Sequence, residues 1–149
     1  DVLVVPGGPG EVDVRRDPRV VEWLQDAHRT TTWTTSVCTG SLVLGAAGIL
    51  EGKRATSHWT ALEELATFGA EPTEERVVVD GKVVTAAGVS SGIDMALWLA
   101  AQLTDDETAQ AIQLAIEYDP QPPFRSGSTA TASPELVDRL RRGSRFWRD

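Results

Sequence analysis

The residue with the greatest chemical potential in this sequence is Cys38, the only cysteine of the chain. It lies between a stretch typical of a strand end, 34–37, and a glycine- and alanine-rich stretch typical of a helix, 40–48. On such a turn a thiol faces the unpaired N–H groups and the positive end of the helix dipole, which favour the thiolate. Because the thiolate is the nucleophile, Cys38 is a candidate for covalent catalysis. The alternative is a buried cysteine that acts as a small hydrophobic residue.

Backbone N–H groups near this cysteine are candidates for stabilising negative charge on a substrate. Gly7 and Gly8 follow an apolar run, so their loop is expected at the carboxyl end of a strand, as Cys38 is. The N–H groups of Gly7, Gly8 and Thr39, together with the Thr39 hydroxyl, are the candidate donors. The alternative for the glycine pair is a tight turn without a ligand. The loop lacks the glycine spacing and the Lys-Ser/Thr pair that bind nucleotides.

Two histidines are the candidates for acid–base chemistry. His58 is predicted at the start of a helix and is a candidate base for Cys38, although the spacing does not bring the two together and packing or capping is the alternative. With Trp59 beside it, His58 is also a candidate for the wall of a substrate pocket. His28 is expected to interact with the C-terminal end of its own helix. Two histidines and one cysteine offer no metal-ligand spacing, so no metal site is predicted.

The elements that position these side chains follow from apolar runs, glycines and prolines. Strands are predicted at 2–5 and 33–37, and a hairpin at 76–86 around Asp80-Gly81. Helices are predicted at 17–29, 40–48, 57–69 and 91–101, then from 104 and from 133, whereas the proline-rich stretch 119–124 is predicted to be irregular. Alternating strands and helices predict an α/β domain with a mainly parallel sheet.

The composition is that of an ordinary globular protein, with 41% hydrophobic and 24% charged residues. The 149 residues are expected to form one domain, and both ends resemble the cut ends of a fragment. A net charge of -8 argues against partners such as nucleic acids and anionic membranes. No apolar stretch reaches the roughly 20 residues of a membrane span. A single cysteine forms no internal disulfide, which fits a cytoplasmic location.

Several segments together carry a resemblance to a known family. They are Pro6-Gly7-Gly8-Pro9-Gly10, Ser36-Val37-Cys38-Thr39-Gly40-Ser41-Leu42-Val43-Leu44-Gly45, Arg54-Ala55-Thr56-Ser57-His58-Trp59 and Gly88-Val89-Ser90-Ser91-Gly92-Ile93-Asp94. The chain resembles the PfpI-type branch of the class I glutamine-amidotransferase-like superfamily, from Asp1 to about Leu140. The segment Glu117-Tyr118-Asp119-Pro120-Gln121-Pro122-Pro123-Phe124, followed by Ser126-Gly127-Ser128, is most similar to the isocyanide hydratases within that branch.

The resemblance implies a three-layer flavodoxin-like sandwich, a homodimer and hydration of an isocyanide to an N-substituted formamide without a metal or organic cofactor. The covalent intermediate is a thioimidate on the nucleophile, which Cys38 matches, and Thr39 matches the threonine that follows it. The resemblance further implies an acid/base carboxylate near the end of the first strand of the family fold. This chain starts after that point, so it is expected to lack the first β-α-β portion with its acid, and to be feeble or inactive alone.

Other functions within the same superfamily remain open. AraC-type transcription regulators carry similar Cys-Thr-Gly and Thr-x-His-Trp segments in a ligand-sensing domain. A redox-sensing or deglycase-like member, in which Cys38 is oxidised or acts on another substrate, is a further alternative. Proteases, glyoxalases and deglycases of the superfamily usually carry a histidine at the position of Thr39, which disfavours these activities.

Overall fold

A sheet of four strands forms the centre of the N-terminal part of the protein. The computed structural model describes residues 1–145. The strands are β1 (Val2–Val5), β2 (Trp33–Val37), β5 (Val77–Asp80) and β6 (Val83–Ala86), in the order β1-β2-β6-β5. β1, β2 and β6 run parallel, and β5 pairs with β6 as an antiparallel hairpin. The predicted α/β class and mainly parallel sheet are confirmed.

Helices follow the strands as the alternating pattern requires. In the sequence, α1 (Glu11–Val14) and α2 (Pro18–Thr30) connect β1 to β2, and α3 (Gly40–Ala46) follows β2. The α2 helix begins as predicted, with the Asp17 side chain accepting a hydrogen bond from the Arg19 N–H and Pro18 in the first turn. α3 contacts β1, β2, α1 and α2, and its Leu42, Val43 and Leu44 are buried. The helix after Cys38 therefore belongs to the core.

The predicted helix 57–69 is wrong at its start and in its type. The structure has a 3₁₀ helix at Leu62–Phe68, which ends as predicted at a left-handed Gly69 with φ 74°. Ser57 and Thr56 lie before it because their polar groups bond to the sheet region: the Ser57 hydroxyl donates to the Cys38 carbonyl, and the Thr56 N–H to the Thr85 hydroxyl. His58 consequently lies in a turn and not at a helix start.

Three short elements were not predicted from the sequence. These are α1 and the two-residue strands β3 (Arg54–Ala55) and β4 (Glu71–Pro72), which pair with each other in a separate parallel sheet. Strands of two residues carry too little periodicity to be seen in a sequence.

The chain divides into two compact units, 1–96 and a second that begins at Leu97, and the prediction of a single domain stays a prediction. α4 (Ser91–Leu103) spans the boundary, and Ser91, predicted as its cap, is its first helical residue. The second unit contains α5 (Asp106–Ala115) and α6 (Pro134–Arg142), and its stretch 119–124 has no regular structure, as predicted. Ser133 caps α6 through its hydroxyl, which accepts from the Leu136 N–H.

The cap predicted for α5 is wrong by one residue. The Asp105 carboxylate accepts the hydrogen bond from the Thr108 N–H at 2.7 Å, whereas the Thr104 hydroxyl donates to the Ala100 carbonyl of the preceding helix. Within residues 1–145, no helix is long and apolar enough to cross a bilayer.

Candidate active site

The backbone at Cys38 adopts a conformation that few residues other than glycine adopt. Its φ is 60°, in the left-handed region, directly after β2. The Cys38 N–H donates to the carbonyls of Ala86, the last residue of β6, and of Ala87, which follows it, at 3.0 and 2.8 Å. The Cys38 carbonyl accepts from the hydroxyls of Ser41 and Ser57, both at 3.1 Å. These bonds hold the turn in its strained conformation, a frequent property of functional sites.

The thiol itself lies at the end of this turn, half-buried. Thr39 is the N-cap residue of α3, but its side chain makes no capping bond to the helix. Within the described part of the chain, no side chain is hydrogen-bonded to the Cys38 sulfur. The structure thus places Cys38 on the predicted strand-to-helix turn and keeps the thiol available to a reagent.

The glycine loop lies directly against this turn. The Gly8 N–H donates to the Thr39 hydroxyl at 3.1 Å, and Thr39 is 5% exposed. A Cβ added to Gly7 would lie 2.6 Å from the Thr39 nitrogen, 2.8 Å from its Oγ1 and 2.9 Å from the Cys38 Cβ. Because no side chain fits there, only glycine allows the loop to approach this closely. The structure therefore brings together four residues predicted separately: Gly7, Gly8, Cys38 and Thr39.

The candidate backbone donors divide into two groups. The Gly8 N–H is directed to Thr39, whose hydroxyl keeps its own proton to donate. In residues 1–145, neither the Gly7 N–H nor the Thr39 N–H donates to a protein group. Two N–H groups next to a thiol are an arrangement that can hold a polar atom of a substrate attached to sulfur.

His58 lies near the site but is not bonded to Cys38. Its Nδ1 accepts from the Thr60 N–H at 3.3 Å and lies 2.8 Å from the Thr60 hydroxyl, which favours the tautomer with the proton on Nε2. Burial lowers the pKa of His58 below its ordinary value, so the neutral ring is favoured. The Trp59 ring centroid is 5.9 Å away. Two contacts show that His58 lies near the Cys38 turn. The hydroxyl of the preceding residue, Ser57, donates to the Cys38 carbonyl, and a Cβ on Gly88 would lie 3.6 Å from the His58 Cδ2.

The expectation that His28 serves the dipole of its helix is wrong. Its Nδ1 lies 2.8 Å from the Thr34 hydroxyl, and burial, followed by the charges of Lys82 and Lys53, lowers its pKa. A neutral imidazole ring interacts only weakly with the negative end of the helix dipole. The Lys82 ammonium takes that role, because it donates to the carbonyls of His28 and Thr31 at the end of α2.

Stability should decrease in mild acid because of these two histidines. Their pKa values are lowered in the folded state from 6.5, so the unfolded chain binds more protons below that pH. The contribution of the two neutral rings to the free energy of unfolding is complete above pH 6.5. It is lost as the pH falls through the pKa values that the histidines have in the folded protein. Urea unfolding at about pH 7.5 and about pH 5 should show a smaller decrease for His28→Gln and for His58→Gln than for the wild type. An unchanged decrease in the double variant would contradict this assignment.

Several residues that shape the site were missed by sequence reasoning. They are Gly40, Ser41, Ser57, Ala86 and Ala87, all of which contact or closely approach the turn. Ser57 directly precedes His58, but nothing in its own position in the sequence indicates a bond to a residue in another element. No group of three or more potential metal ligands occurs among residues 1–145.

Comparison with known proteins gives a consistent family signal. The sequence profile of the DJ-1/PfpI family matches residues 1–102. The isonitrile hydratase of Pseudomonas putida is 49% identical over 142 residues, which cover 95% of this chain and 62% of the hydratase. The HTH-type transcriptional regulator CdhR of Pseudomonas aeruginosa is 36% identical over 106 residues, 70% of this chain and 30% of the regulator.

The fold comparison agrees. The crystal structure of a THiJ/PfpI family protein from Pseudomonas syringae superimposes with a TM-score of 0.92 at 44% identity, covering 95% of this chain and 59% of that protein. The chain thus spans less than two thirds of the length of these relatives.

Proposed function

Because this chain belongs to the DJ-1/PfpI family, whose fold is a flavodoxin-like α/β sandwich, we propose that it hydrates an isocyanide to an N-substituted formamide through Cys38. The observation that carries the proposal is the left-handed Cys38 turn with the Gly7 and Thr39 N–H groups beside the thiol. The isonitrile hydratase of Pseudomonas putida supports the substrate class, since isonitrile is another name for isocyanide.

The reaction begins with attack of the Cys38 thiolate on the terminal isocyanide carbon, which forms a carbon–sulfur bond. A proton then reaches that carbon and balances the one lost by the thiol, which gives a neutral thioimidate. Water adds across the carbon–nitrogen double bond. Cleavage of the carbon–sulfur bond expels the thiolate and leaves the formamide, so water is the only co-reactant and no metal or organic cofactor is needed.

Backbone donors take part in the second half of this reaction. The N–H groups of Gly7 and Thr39 hold the oxygen that comes from water, and Gly8 acts through the Thr39 hydroxyl, to which it donates. The Thr39 hydroxyl positions the reacting groups with its own proton.

The remaining roles are the proton donor and the pocket wall. We assign proton delivery to a carboxylic acid, because the family resemblance implies one near the end of the first strand of the family fold. None of the carboxylates in residues 1–145 is hydrogen-bonded to Cys38. Acid–base help of this kind contributes about 10²–10⁴-fold to a rate. His58 and Trp59 form part of the wall that receives the substituent of the isocyanide.

The direct test is to measure formamide production from an aryl isocyanide by the full-length gene product, with a Cys38→Ala variant as the control. Product identified by NMR, at a rate that depends on Cys38, would support the proposal. Rapid alkylation of Cys38 without any formamide would refute it and would indicate another substrate or a sensing role.

Gly7→Ala is expected to lower kcat/KM for formamide production by about 10–100-fold. The added methyl group collides with the backbone nitrogen and the Oγ1 of Thr39 and pushes the loop and its N–H group away from Cys38. Gly10→Ala in the same loop is the matched control, because a Cβ there meets nothing within 4 Å. Steady-state kinetics of both variants provide the measurement, and equal values for the two would contradict the role of Gly7.

The second candidate function is the ligand-sensing domain of a transcription regulator. The similarity to CdhR favours it, because it covers 70% of this chain. The longer match to the hydratase, over 142 residues, necessarily includes the segment Glu117–Phe124, which the resemblance associates with hydratases. Ligand binding without turnover by the full-length protein, together with specific binding to DNA, would favour the regulator.

The proposal includes a homodimer in the cytoplasm that acts on a small molecule. The homodimer is what the family resemblance implies, and the cytoplasmic location is supported by the single free cysteine. Light scattering during size-exclusion chromatography measures the dimer directly.

A further inference from the structure

A cluster of charged residues forms around α1, the helix that follows the Gly7–Gly8 loop, and is not used by the proposed reaction. Arg15, at the end of α1, lies 3.2 Å from the Glu11 carboxylate through its Nε and 2.6 Å from the Glu64 carboxylate through its Nη1. The Glu11 side chain is 1% exposed and that of Arg15 is 14% exposed. Charges that are removed from water to this extent require a close partner, so Arg15 and Glu11 depend on each other.

The same arginine also contacts an aromatic ring. Its guanidinium carbon lies 5.7 Å from the centroid of the Phe68 ring, within the range of a cation–π interaction. Phe68 in turn packs on Gly45 of α3, where an added Cβ would lie 2.8 Å from the ring. One side chain thus connects α1, the 3₁₀ helix and, through Phe68, the helix that follows Cys38.

These connected elements are the ones that continue from the site residues. α1 follows the Gly7–Gly8 loop, the 3₁₀ helix follows His58, and α3 follows Cys38. The link to the loop is direct, because the Glu11 N–H donates to the Gly8 carbonyl at 3.2 Å, and the Gly8 N–H donates to the Thr39 hydroxyl. A displacement of Glu11 therefore reaches Thr39 through Gly8.

We propose that Arg15 is a positioning residue, which holds the Gly7–Gly8 loop in register with Cys38 by fixing Glu11 and Glu64 at the same time. This inference rests on the proposed hydratase function for its kinetic effect, but the placement of the loop is measurable without it. An arginine suits the role because its guanidinium donates a hydrogen bond to Glu64, lies within ion-pair distance of Glu11 and faces the Phe68 ring, whereas the ammonium of lysine is a compact point charge.

The kinetic test compares Arg15→Lys and Arg15→Gln with the wild-type full-length protein. A loop shifted by about 1 Å lowers a rate by up to about 10²-fold, so kcat should fall about 10-fold in the lysine variant and about 10²-fold in the glutamine variant. KM should change by less than about 3-fold, since the pocket wall is not altered. Arg29→Gln, which removes an exposed arginine–aspartate pair on α2, is the matched control and should keep the wild-type kcat.

A double variant separates positioning from stability. Glu11→Gln/Arg15→Gln removes both buried charges, so its urea midpoint should recover relative to Arg15→Gln, while its kcat should stay low. If kcat recovers together with the urea midpoint, Arg15 is only structural and the proposal is wrong.

Amide exchange of Gly8, followed by NMR, tests the placement of the loop without an assay of turnover. The Arg15 variants should speed up exchange of this amide about 10-fold more than that of the Thr35 amide in β2, which reports the change in global stability. If the wild type makes no formamide, the function proposal fails and this exchange rate alone decides the role of Arg15. Equal exchange of Gly8 in wild type and variants would overturn the inference.

Discussion

Cys38→Ala is expected to reduce formamide production by at least about 10³-fold while the protein still folds. The loss follows because the covalent thioimidate cannot form without sulfur, and the backbone donors alone do not supply a nucleophile. Initial rates give the size of the effect, and mass spectrometry of acid-quenched protein should show the isocyanide adduct on the wild type alone. A residual rate above one tenth of the wild-type rate would show that Cys38 is not the nucleophile.

A second substitution at the same position separates chemistry from folding. Alanine keeps a Cβ at a φ of 60°, whereas glycine adopts this φ without a steric cost. The unfolding free energy of Cys38→Gly should therefore exceed that of Cys38→Ala by about 1 kcal/mol, although both are inactive. The opposite order of stability would argue against strain at the turn.

Gly40→Ala is expected to destabilise the protein by about 3 kcal/mol or more, or to prevent folding. A Cβ on this residue would lie 2.1 Å from the Val5 carbonyl oxygen and 2.9 Å from the carbonyl carbon of Pro6. Val5 is the last residue of β1, which is paired with β2, and Pro6 directly follows it, so these backbone atoms cannot move without disturbing the sheet. Urea titration measures the change in the free energy of unfolding.

The matched control for Gly40→Ala is Gly143→Ala at the end of α6. A Cβ there would lie 3.7 Å from the Leu140 carbonyl oxygen, an ordinary contact, and the φ of -84° suits alanine. The control should change the unfolding free energy by less than about 1 kcal/mol. A similar loss in both variants would mean that close packing at Gly40 is not the cause.

The parts of the fold that were predicted from the sequence are those with local signals. β1 and β2 have the predicted bounds because short β-branched runs are bounded by proline, glycine or polar residues. The Asp80-Gly81 turn gives the β5–β6 hairpin, with Gly81 at a φ of 61°. Asp17 with Pro18 marks the start of α2 for the same reason, since the capping bond spans only two residues.

The parts that were not predicted depend on contacts between distant residues. The hydroxyl of Ser57 bonds to Cys38 in another element, and this bond moves the start of the helical segment. Nothing local to Gly40 indicates that the Val5 carbonyl lies against it. The candidate residues Cys38, Thr39, Gly7 and Gly8 were predicted and lie together in the structure, but their catalytic roles stay predictions.

The parallel pairing of the sheet has a consequence for how the protein folds. Val2 pairs with Trp33 and Thr34 with Val83, so both pairings close long loops, whereas the β5–β6 hairpin closes a short one. Long-range pairings slow folding, because the entropy of loop closure is lost before the contacts form. The bonds from Cys38 to Ala86 and Ala87 exist only once β2 and β6 have met. We therefore expect the hairpin to form early and the reactive cysteine turn to be among the last features to appear during refolding.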